Sequence, residues 1–203
     1  MSEPKRILET LELVGGVLCL DFANTINSRR EPEHDYLLAY SEVVEWAGKV
    51  EILSGQQVKS LNQLETQDVR KAERALEKGR NAREVMYRVF SAVANKSKPK
   101  EDDLMALAHL YEETIANGQH VRVDQHYEIA WRADETFDAF LWPIVSSAES
   151  LLLSKELSRV KECPNCGWLF LDTSKNRSRR WCSMNTCGAR DKMRRYHKRL
   201  KKM

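Results

Sequence analysis

The sequence predicts a mainly α-helical protein with one small β-hairpin and a compact cysteine-rich module at its C-terminal end. Three observations lead to this fold class. Apolar residues recur at the three- and four-residue spacing of helices over most of the first 158 positions. Between Gly118 and Trp131 they alternate with polar residues instead, as in a hairpin. Four of the five cysteines lie between residues 163 and 187.

Length and composition indicate a globular protein. The chain has 203 residues, of which 42% are hydrophobic and 31% charged, enough for one ordinary core and a small appended module. No apolar run approaches the roughly eighteen residues that a membrane span requires. The first residues, Met1 to Arg6, lead into a segment without the apolar stretch or cleavage site of a secretory signal. We therefore expect no membrane partner and a cytoplasmic location.

Charge is distributed unevenly along the chain. Residues 159–203 contain fourteen Lys and Arg against three acidic residues, whereas residues 1–158 contain nineteen basic and twenty-seven acidic ones. A basic module on an acidic body is typical of proteins that bind polyanions, because Lys and Arg neutralise phosphates. The alternative is a solvated basic tail that only keeps the protein soluble.

The N-terminal part predicts a series of helices. A Gly15–Gly16 pair interrupts the apolar run of residues 12–30, which indicates a turn or short strand that enters a helix. Residues 68–95 predict the longest helix, with a bend or break at Gly79. Three further apolar stripes predict core-facing helices. They consist of Leu37, Tyr40, Val44 and Ala47; of Val58, Leu61 and Leu64; and of Leu104, Leu107, Ala108, Tyr111 and Ile115.

The end of this part predicts a hairpin and then a last helix. Residues 118–131 form the hairpin, and residues 134–160 form the helix, with an alternative start at Pro143. The composition changes near residue 160. We therefore expect a helical domain over residues 1–158 and a separate basic module over residues 159–203.

Two short cysteine pairs follow one another in the C-terminal module. Zinc prefers four soft ligands in a tetrahedron, and two tight turns that each present two thiolates are a usual way to supply them. The first pair has a proline between its cysteines and a glycine after them, as zinc knuckles do. The sequence therefore predicts one structural Zn²⁺, whose coordination shell four thiolates close. The predicted ligands are Cys163, Cys166, Cys182 and Cys187.

The alternatives for these four cysteines are a redox dithiol or disulfide bonds. Both are less suited to a cytosolic chain with two knuckle-like pairs. The fifth cysteine, Cys19, stands alone in an apolar run and is interpreted as a small buried hydrophobe.

The residues between the two cysteine pairs predict a second hairpin. Trp168–Leu171 and Arg177–Trp181 would be its strands, and residues 172–176 its turn. The aromatic side chains of Trp168, Phe170 and Trp181 would fill the small core of the module, or they would stack on nucleic-acid bases.

A basic helix is predicted after Cys187. Ala189, Met193, Tyr196 and Leu200 form one apolar stripe, and basic residues line both of its flanks. A knuckle, a hairpin and a helix in this order make a treble-clef-like zinc finger. Arginines of the hairpin could contact DNA phosphates while the helix approaches a groove. The alternative is a helix that docks on the acidic body or on a partner. The candidate nucleic-acid contacts are Arg177, Arg179, Arg180, Arg190, Lys192, Arg194, Arg195 and Lys198.

One stretch of the N-terminal part collects several polar side chains. Asp21, Asn24, Thr25 and Arg29 would share a face if residues 20–30 were helical. Together they could line a pocket for a small-molecule effector. The alternative is a capping and ion-pair network that fixes how the first segment packs.

The C-terminal residues resemble the CGNR zinc-finger family. The resemblance rests on Trp168 to Asp172, on Ser178 to Met184, and on Cys187-Gly-Ala-Arg190 followed by Lys192. The Asn of the family's Cys-Gly-Asn-Arg motif is replaced by Ala189. The resemblance implies a DNA-binding finger.

The N-terminal residues look like the start of the ABATE domain, which accompanies this finger. The similarity lies in Gly15 to Thr25, with Arg29 or Arg30 after it. Together the two resemblances cover nearly the whole chain. They imply a stress-related bacterial transcription regulator, with DNA as its partner and a helical N-terminal domain of unsettled role. Our leading hypothesis is that this domain senses a ligand or forms a homodimer.

Two other classes of function compete with this one. The first is an adaptor whose finger binds RNA or a protein. The second is an enzyme, but no nucleophile and base arrangement and no phosphate-binding glycine loop is present, and the histidines are scattered. We therefore expect no catalytic residues.

Overall fold

Helices dominate the protein, as the sequence predicts. The computed structural model describes residues 8–131 and 136–200, and 57% of these described residues are helical. The elements, in chain order, are α1 (Leu18–Ala23), α2 (Tyr40–Lys49), α3 (Gly55–Gln67), α4 (Val69–Ala94), α5 (Glu101–Ile115), β1 (Gly118–Val123), β2 (His126–Trp131), α6 (Leu141–Leu153), β3 (Val160–Glu162), β4 (Leu169–Leu171) and α7 (Ala189–Leu200).

The longest helix, α4, is not interrupted at Gly79, so the predicted break at this residue is wrong. Gly79 serves close packing: a Cβ atom there would lie 2.8 Å from Cζ of Phe140, which is fully buried. The glycine therefore lets α4 approach the chain segment that leads into α6.

Replacing Gly79 with alanine is expected to destabilise the protein by up to about 2 kcal/mol. Alanine is the better helix former by about 1 kcal/mol, but overpacking a buried contact costs about 1–3 kcal/mol. The matched control is Gly55→Ala at the start of α3, where a Cβ would meet nothing within 4 Å. Urea denaturation should show a lower midpoint for Gly79→Ala than for Gly55→Ala. Equal urea midpoints of the two variants would show that the Phe140 ring moves to accommodate the added methyl group without loss of stability.

The first helix is shorter than the residue 20–30 helix assumed for the polar cluster. α1 ends at Ala23, and the backbone N–H and hydroxyl of Thr25 both bind the carbonyl of Phe22, at 3.1 and 2.8 Å. The four polar residues therefore do not share a helical face.

The hairpin and the last helix of the N-terminal part are both present. β1 and β2 pair antiparallel from Gly118↔Trp131 to Val123↔His126, around a two-residue turn in which Asp124 has φ 51°. α6 is shorter than predicted, because it begins at Leu141 and is followed by a 3₁₀ turn at Lys155–Arg159. The first residues of the predicted range, 134 and 135, lie outside the described residues.

One hydrophobic core joins the two parts of the chain. It contains Phe22 of α1 and Met86 of α4 together with Leu169 and Phe170 of β4, and all four are fully buried. β4 packs against both α1 and α4. The hydrophobic core therefore continues across the predicted domain boundary between residues 158 and 159. Among the described residues, no helix combines the length and apolar character needed to cross a bilayer.

Candidate metal centre and nucleic-acid interface

The first cysteine pair lies at the tip of a small antiparallel hairpin formed by β3 and β4. The backbone N–H of Cys163 donates to the carbonyl of Trp168, and that of Gly167 donates to Cys163, both at 2.8 Å. Gly167 has φ 76°, which favours glycine, and a Cβ there would lie 2.7 Å from Cβ of Arg29. The knuckle therefore turns tightly while it touches the N-terminal part.

The sequence predicted that residues 168–171 pair with residues 177–181, and this pairing is wrong. β4 pairs with β3, which precedes the first cysteine pair, whereas residues 177–181 form no strand. Asp172 explains the difference, because its carboxylate accepts hydrogen bonds from the backbone N–H groups of Ser174 and Arg179, at 3.0 and 3.1 Å. The chain is thereby folded into a loop where the prediction placed a strand. Lys161 of β3 also binds this carboxylate, at 2.6 Å.

The second cysteine pair leads directly into α7. Cys182 follows the loop, and Cys187 lies in a π-helical turn over Met184–Gly188 that continues into α7 at Ala189. The amide of Asn165, in the first knuckle, donates to the carbonyl of Cys187 at 2.7 Å. The two knuckles are therefore linked by a hydrogen bond in addition to any metal.

The four cysteines form a structural zinc site. Their sulfur atoms lie within 4.8 Å of one another, with Cys166 and Cys182 at 3.5 Å, and all four residues are buried. Sulfur atoms at about 2.3 Å from a tetrahedral zinc ion would lie about 3.8 Å apart, so the cluster fits the ion. Four protein thiolates leave no open position, and the zinc therefore cross-links the module without a catalytic role.

The electrostatics of the cluster also suit a cation. Hydrogen bonding with the Cys166 thiol lowers the pKa of Cys163, whereas hydrogen bonding with Cys163 raises the pKa of Cys182. Sulfur atoms this close cannot all carry a negative charge unless a cation lies among them. In contrast, burial raises the pKa of Cys19 to about 12, and this residue is fully buried, as the sequence indicated.

The aromatic residues of the finger face inward, which confirms their assignment to the core. Phe170 is fully buried, and Trp168 and Trp181 are 8% and 7% exposed. The indole N–H of Trp168 donates to the carbonyl of Ile26 at 2.6 Å. Base stacking on these rings would require the module to open.

Arg179 is used within the protein. Its guanidinium donates to the carbonyls of Trp181, Cys182 and Val14, and it lies over the ring of Phe170 at 4.5 Å. It thus connects the backbone of a zinc ligand with the N-terminal part. The sequence alone did not distinguish Arg179 from its exposed neighbours, because its partners are distant carbonyl groups.

The other candidate cations lie on the surface. Arg177 and Arg180 are exposed on the loop, where Arg180 covers the ring of Trp181 at 4.8 Å. Arg194 bonds to the side chain of Asn165, and Arg195 pairs with Asp191 at 2.8 Å. Arg190, Lys192 and Lys198 are also exposed on α7. Ala189, which stands where the family motif has Asn, is the first residue of this helix.

The N-terminal polar cluster lies at the junction with the finger. Asn24 is 1% exposed, and its amide donates to the carbonyl and accepts from the N–H of Leu169 in β4, at 2.8 and 2.9 Å. The backbone N–H of Arg29 donates to the carbonyl of Cys166 at 2.7 Å. These contacts attach the segment after α1 to both the strand and the knuckle of the finger.

The remaining cluster residues bind groups of the N-terminal part. Thr25 accepts a hydrogen bond from Arg83 at 3.1 Å, and Arg29 pairs with Glu84 at 2.6 Å. Asp21 accepts from the N–H of Gly15 at 2.7 Å, and burial raises the pKa of its carboxyl to about 6. Of the four, Asp21 lines an open groove of about 400 Å³. A ligand-binding role for the cluster stays a prediction.

A buried ion pair that was not predicted from the sequence also supports this junction. Arg83 of α4 is 3% exposed and binds both carboxylate oxygens of Asp35, at 2.7 and 2.6 Å. Burial disfavours the charge of Asp35, but the Arg83 hydrogen bonds outweigh it, so the pKa of the carboxyl is lowered. An Arg within an apolar helical stripe was the signal that could have revealed it.

Two family models match the chain in tandem. Residues 16–155 match ABATE, which has the description "Putative stress-induced transcription regulator", and residues 159–200 match the CGNR zinc finger. Both matches lie where the sequence resemblances placed them. No curated protein matches the chain at a significant level.

Proposed function

Because the chain belongs to the ABATE family and ends in a CGNR zinc finger, we propose that it is a transcription regulator that binds DNA through this finger. Both families are of regulator and zinc-finger types and not of enzyme types. The zinc ion would hold the two knuckles in register, and the finger would present its cations to the DNA backbone.

The observation that carries the proposal is the exposure of the basic surface. Among the described residues of α7 none is buried, and six of its twelve residues are Lys or Arg. Arg177 and Arg180 extend the same charge onto the loop before the second cysteine pair. Exposed Lys and Arg side chains can neutralise phosphates and release counterions.

The N-terminal domain would position this surface. Asn24 and Arg29 fix the finger through hydrogen bonds to backbone groups of Leu169 and Cys166. The finger is therefore fixed by direct contacts and not only by a linker. A conformational change in the N-terminal domain could reach the zinc site through these contacts. An effector and a homodimer remain predictions that would use this connection.

The competing function is an adaptor that binds RNA or a protein partner. An RNA or nonspecific polyanion binder would bind all duplexes alike and lose affinity only as salt is added. Preference for one duplex sequence over another at the same salt concentration would favour the regulator.

Replacing Lys192 with alanine tests whether α7 contacts DNA. Lys192 is exposed, and each lost phosphate contact should reduce the slope of log K against log salt by about 1. Fluorescence anisotropy of the zinc-loaded protein across a salt series measures this slope. The matched control is Lys59→Ala, which removes a lysine on α3 that is also exposed. A Lys192→Ala slope equal to that of the control would exclude Lys192 from the interface.

A further inference from the structure

The apolar residues of α7 are exposed rather than packed in the core, and the ring of Tyr196 lies edge-on to that of its neighbour His197, at 5.8 Å between centroids. Met193, Tyr196 and Leu200 are 55%, 56% and 51% exposed. Every other α-helix of the described residues buries at least one apolar side chain in the core. α7 instead contacts the preceding turn, and its Arg194 bonds to Asn165.

These three residues lie on one face of the helix. Their spacing of three and four places them within about 60° around the helix axis. Arg190 and Arg194 lie on one side of this face, and Lys192, Arg195 and Arg199 lie on the other. The apolar face, defined by Met193, Tyr196 and Leu200, is therefore flanked by cations on both sides.

This charge pattern restricts what can cover the apolar face. A second copy of α7 would bring two strongly basic helices together, and the like charges would oppose the contact. A major groove of B-DNA has the complementary arrangement. Its two edges are rows of phosphates, and its floor presents base edges that include the apolar methyl group of thymine. The groove is about 12 Å wide, and a helix with its side chains is about 10–12 Å across.

We infer that α7 lies in the major groove of DNA with Met193, Tyr196 and Leu200 against the base edges, where they recognise thymine by its methyl group. This inference rests on the proposed DNA binding and adds to it a base preference. The cations on both flanks contact the two phosphate backbones and supply affinity without sequence preference. The apolar face supplies the discrimination.

The zinc site gives this helix a fixed direction. α7 begins two residues after the ligand Cys187, and the Asn165 side chain binds both the Cys187 carbonyl and Arg194. The first turn of the helix is therefore held by the metal centre. The apolar face is thus presented in one orientation, as base recognition requires.

The test compares two duplexes that differ only in methyl groups. Both have 24 base pairs of alternating adenine and thymine, but one contains deoxyuridine in place of thymidine. Full-length, zinc-loaded protein is titrated against each by fluorescence anisotropy at one salt concentration. The variant is the double substitution Met193→Ala and Tyr196→Ala, and alanine preserves the helix at these exposed positions. Zinc content and circular dichroism confirm that the variant is folded.

The wild-type protein is expected to bind the thymidine duplex about tenfold more tightly than the deoxyuridine duplex. Each methyl group removed from water contributes about a factor of four, and two or so would be contacted. The double variant should bind both duplexes equally, with its salt slope unchanged. Lys192→Ala, the control on the flank, should weaken both duplexes alike and reduce the slope by about 1.

Two results would overturn the inference without affecting the proposed function. One is equal wild-type affinity for the two duplexes, and the other is a double variant that retains the wild-type preference. A double variant that binds DNA as the wild type does, but loses binding to anionic phospholipid vesicles, would assign the apolar face to a membrane surface instead. Failure of the wild-type protein to bind any duplex would overturn the proposed function itself.

Discussion

Replacing Cys182 with serine is expected to release the zinc ion and to destabilise the whole chain. Zinc binding to a structural four-ligand site contributes on the order of 10 kcal/mol in small fingers. The loss would spread beyond the finger, because Arg179 connects the carbonyl of Cys182 to that of Val14, and β4 belongs to the common core. Differential scanning calorimetry should show one transition, shifted down by more than about 10 °C.

The matched control is Cys19→Ala, which removes a buried thiol that lies outside the zinc site. This variant should keep one zinc ion per chain and lose at most about 2 kcal/mol of stability. Elemental analysis gives the zinc content of both variants. If Cys182→Ser kept a wild-type transition for residues 8–158 while only the tail melted, the two parts would fold independently.

Replacing Asn24 with alanine is expected to cost about 2–6 kcal/mol. The substitution leaves the N–H and the carbonyl of Leu169 without their partner in a buried setting, and each unsatisfied buried group costs about 1–3 kcal/mol. Chemical denaturation should show the loss, and the zinc affinity should fall with it, because β4 supports the first knuckle. A ligand-binding role alone would leave the stability of the free protein unchanged.

Arg30→Ala is the control for this substitution. Arg30 joins the same two parts of the chain through Glu162, at 2.7 Å, but its side chain is 53% exposed. The side chain of Glu162 is buried, but it also accepts hydrogen bonds from Ser91 and Asn95 at 2.5 and 3.0 Å, so its carboxylate keeps partners when Arg30 is removed. The loss of the exposed Arg30 should therefore cost about 1 kcal/mol at most. Equal effects of the two variants would contradict the assignment of Asn24 as the central contact.

The zinc site could be predicted from the sequence because its information is local. Cys163 and Cys166 are separated by two residues, and Cys182 and Cys187 by four, so each pair lies in one turn whatever the rest of the chain does. The helices could be predicted for a similar reason, since a stripe such as Tyr40, Val44 and Ala47 repeats with the helical period.

What could not be predicted depends on contacts between distant residues. The partner strand of β4 was predicted wrongly, because the carboxylate of Asp172 folds the following residues into a loop. No periodicity in the sequence reveals this loop. Asn24 and Leu169 are 145 residues apart in sequence, so their pairing has no local pattern. The sequence predicts a bend or break at Gly79. A glycine that makes room for the ring of Phe140 cannot be distinguished in sequence from one that ends a helix.

Zinc-dependent and sequence-specific binding of DNA is tested most directly by one titration. The full-length, zinc-loaded protein would be titrated by anisotropy at physiological salt against a duplex selected from a random library and against a scrambled duplex of equal composition. We expect the selected duplex to bind at least about a thousandfold more tightly, with this preference lost on chelation and restored by zinc. Equal affinities for the two duplexes, or a preference that survives the removal of zinc, would contradict the account.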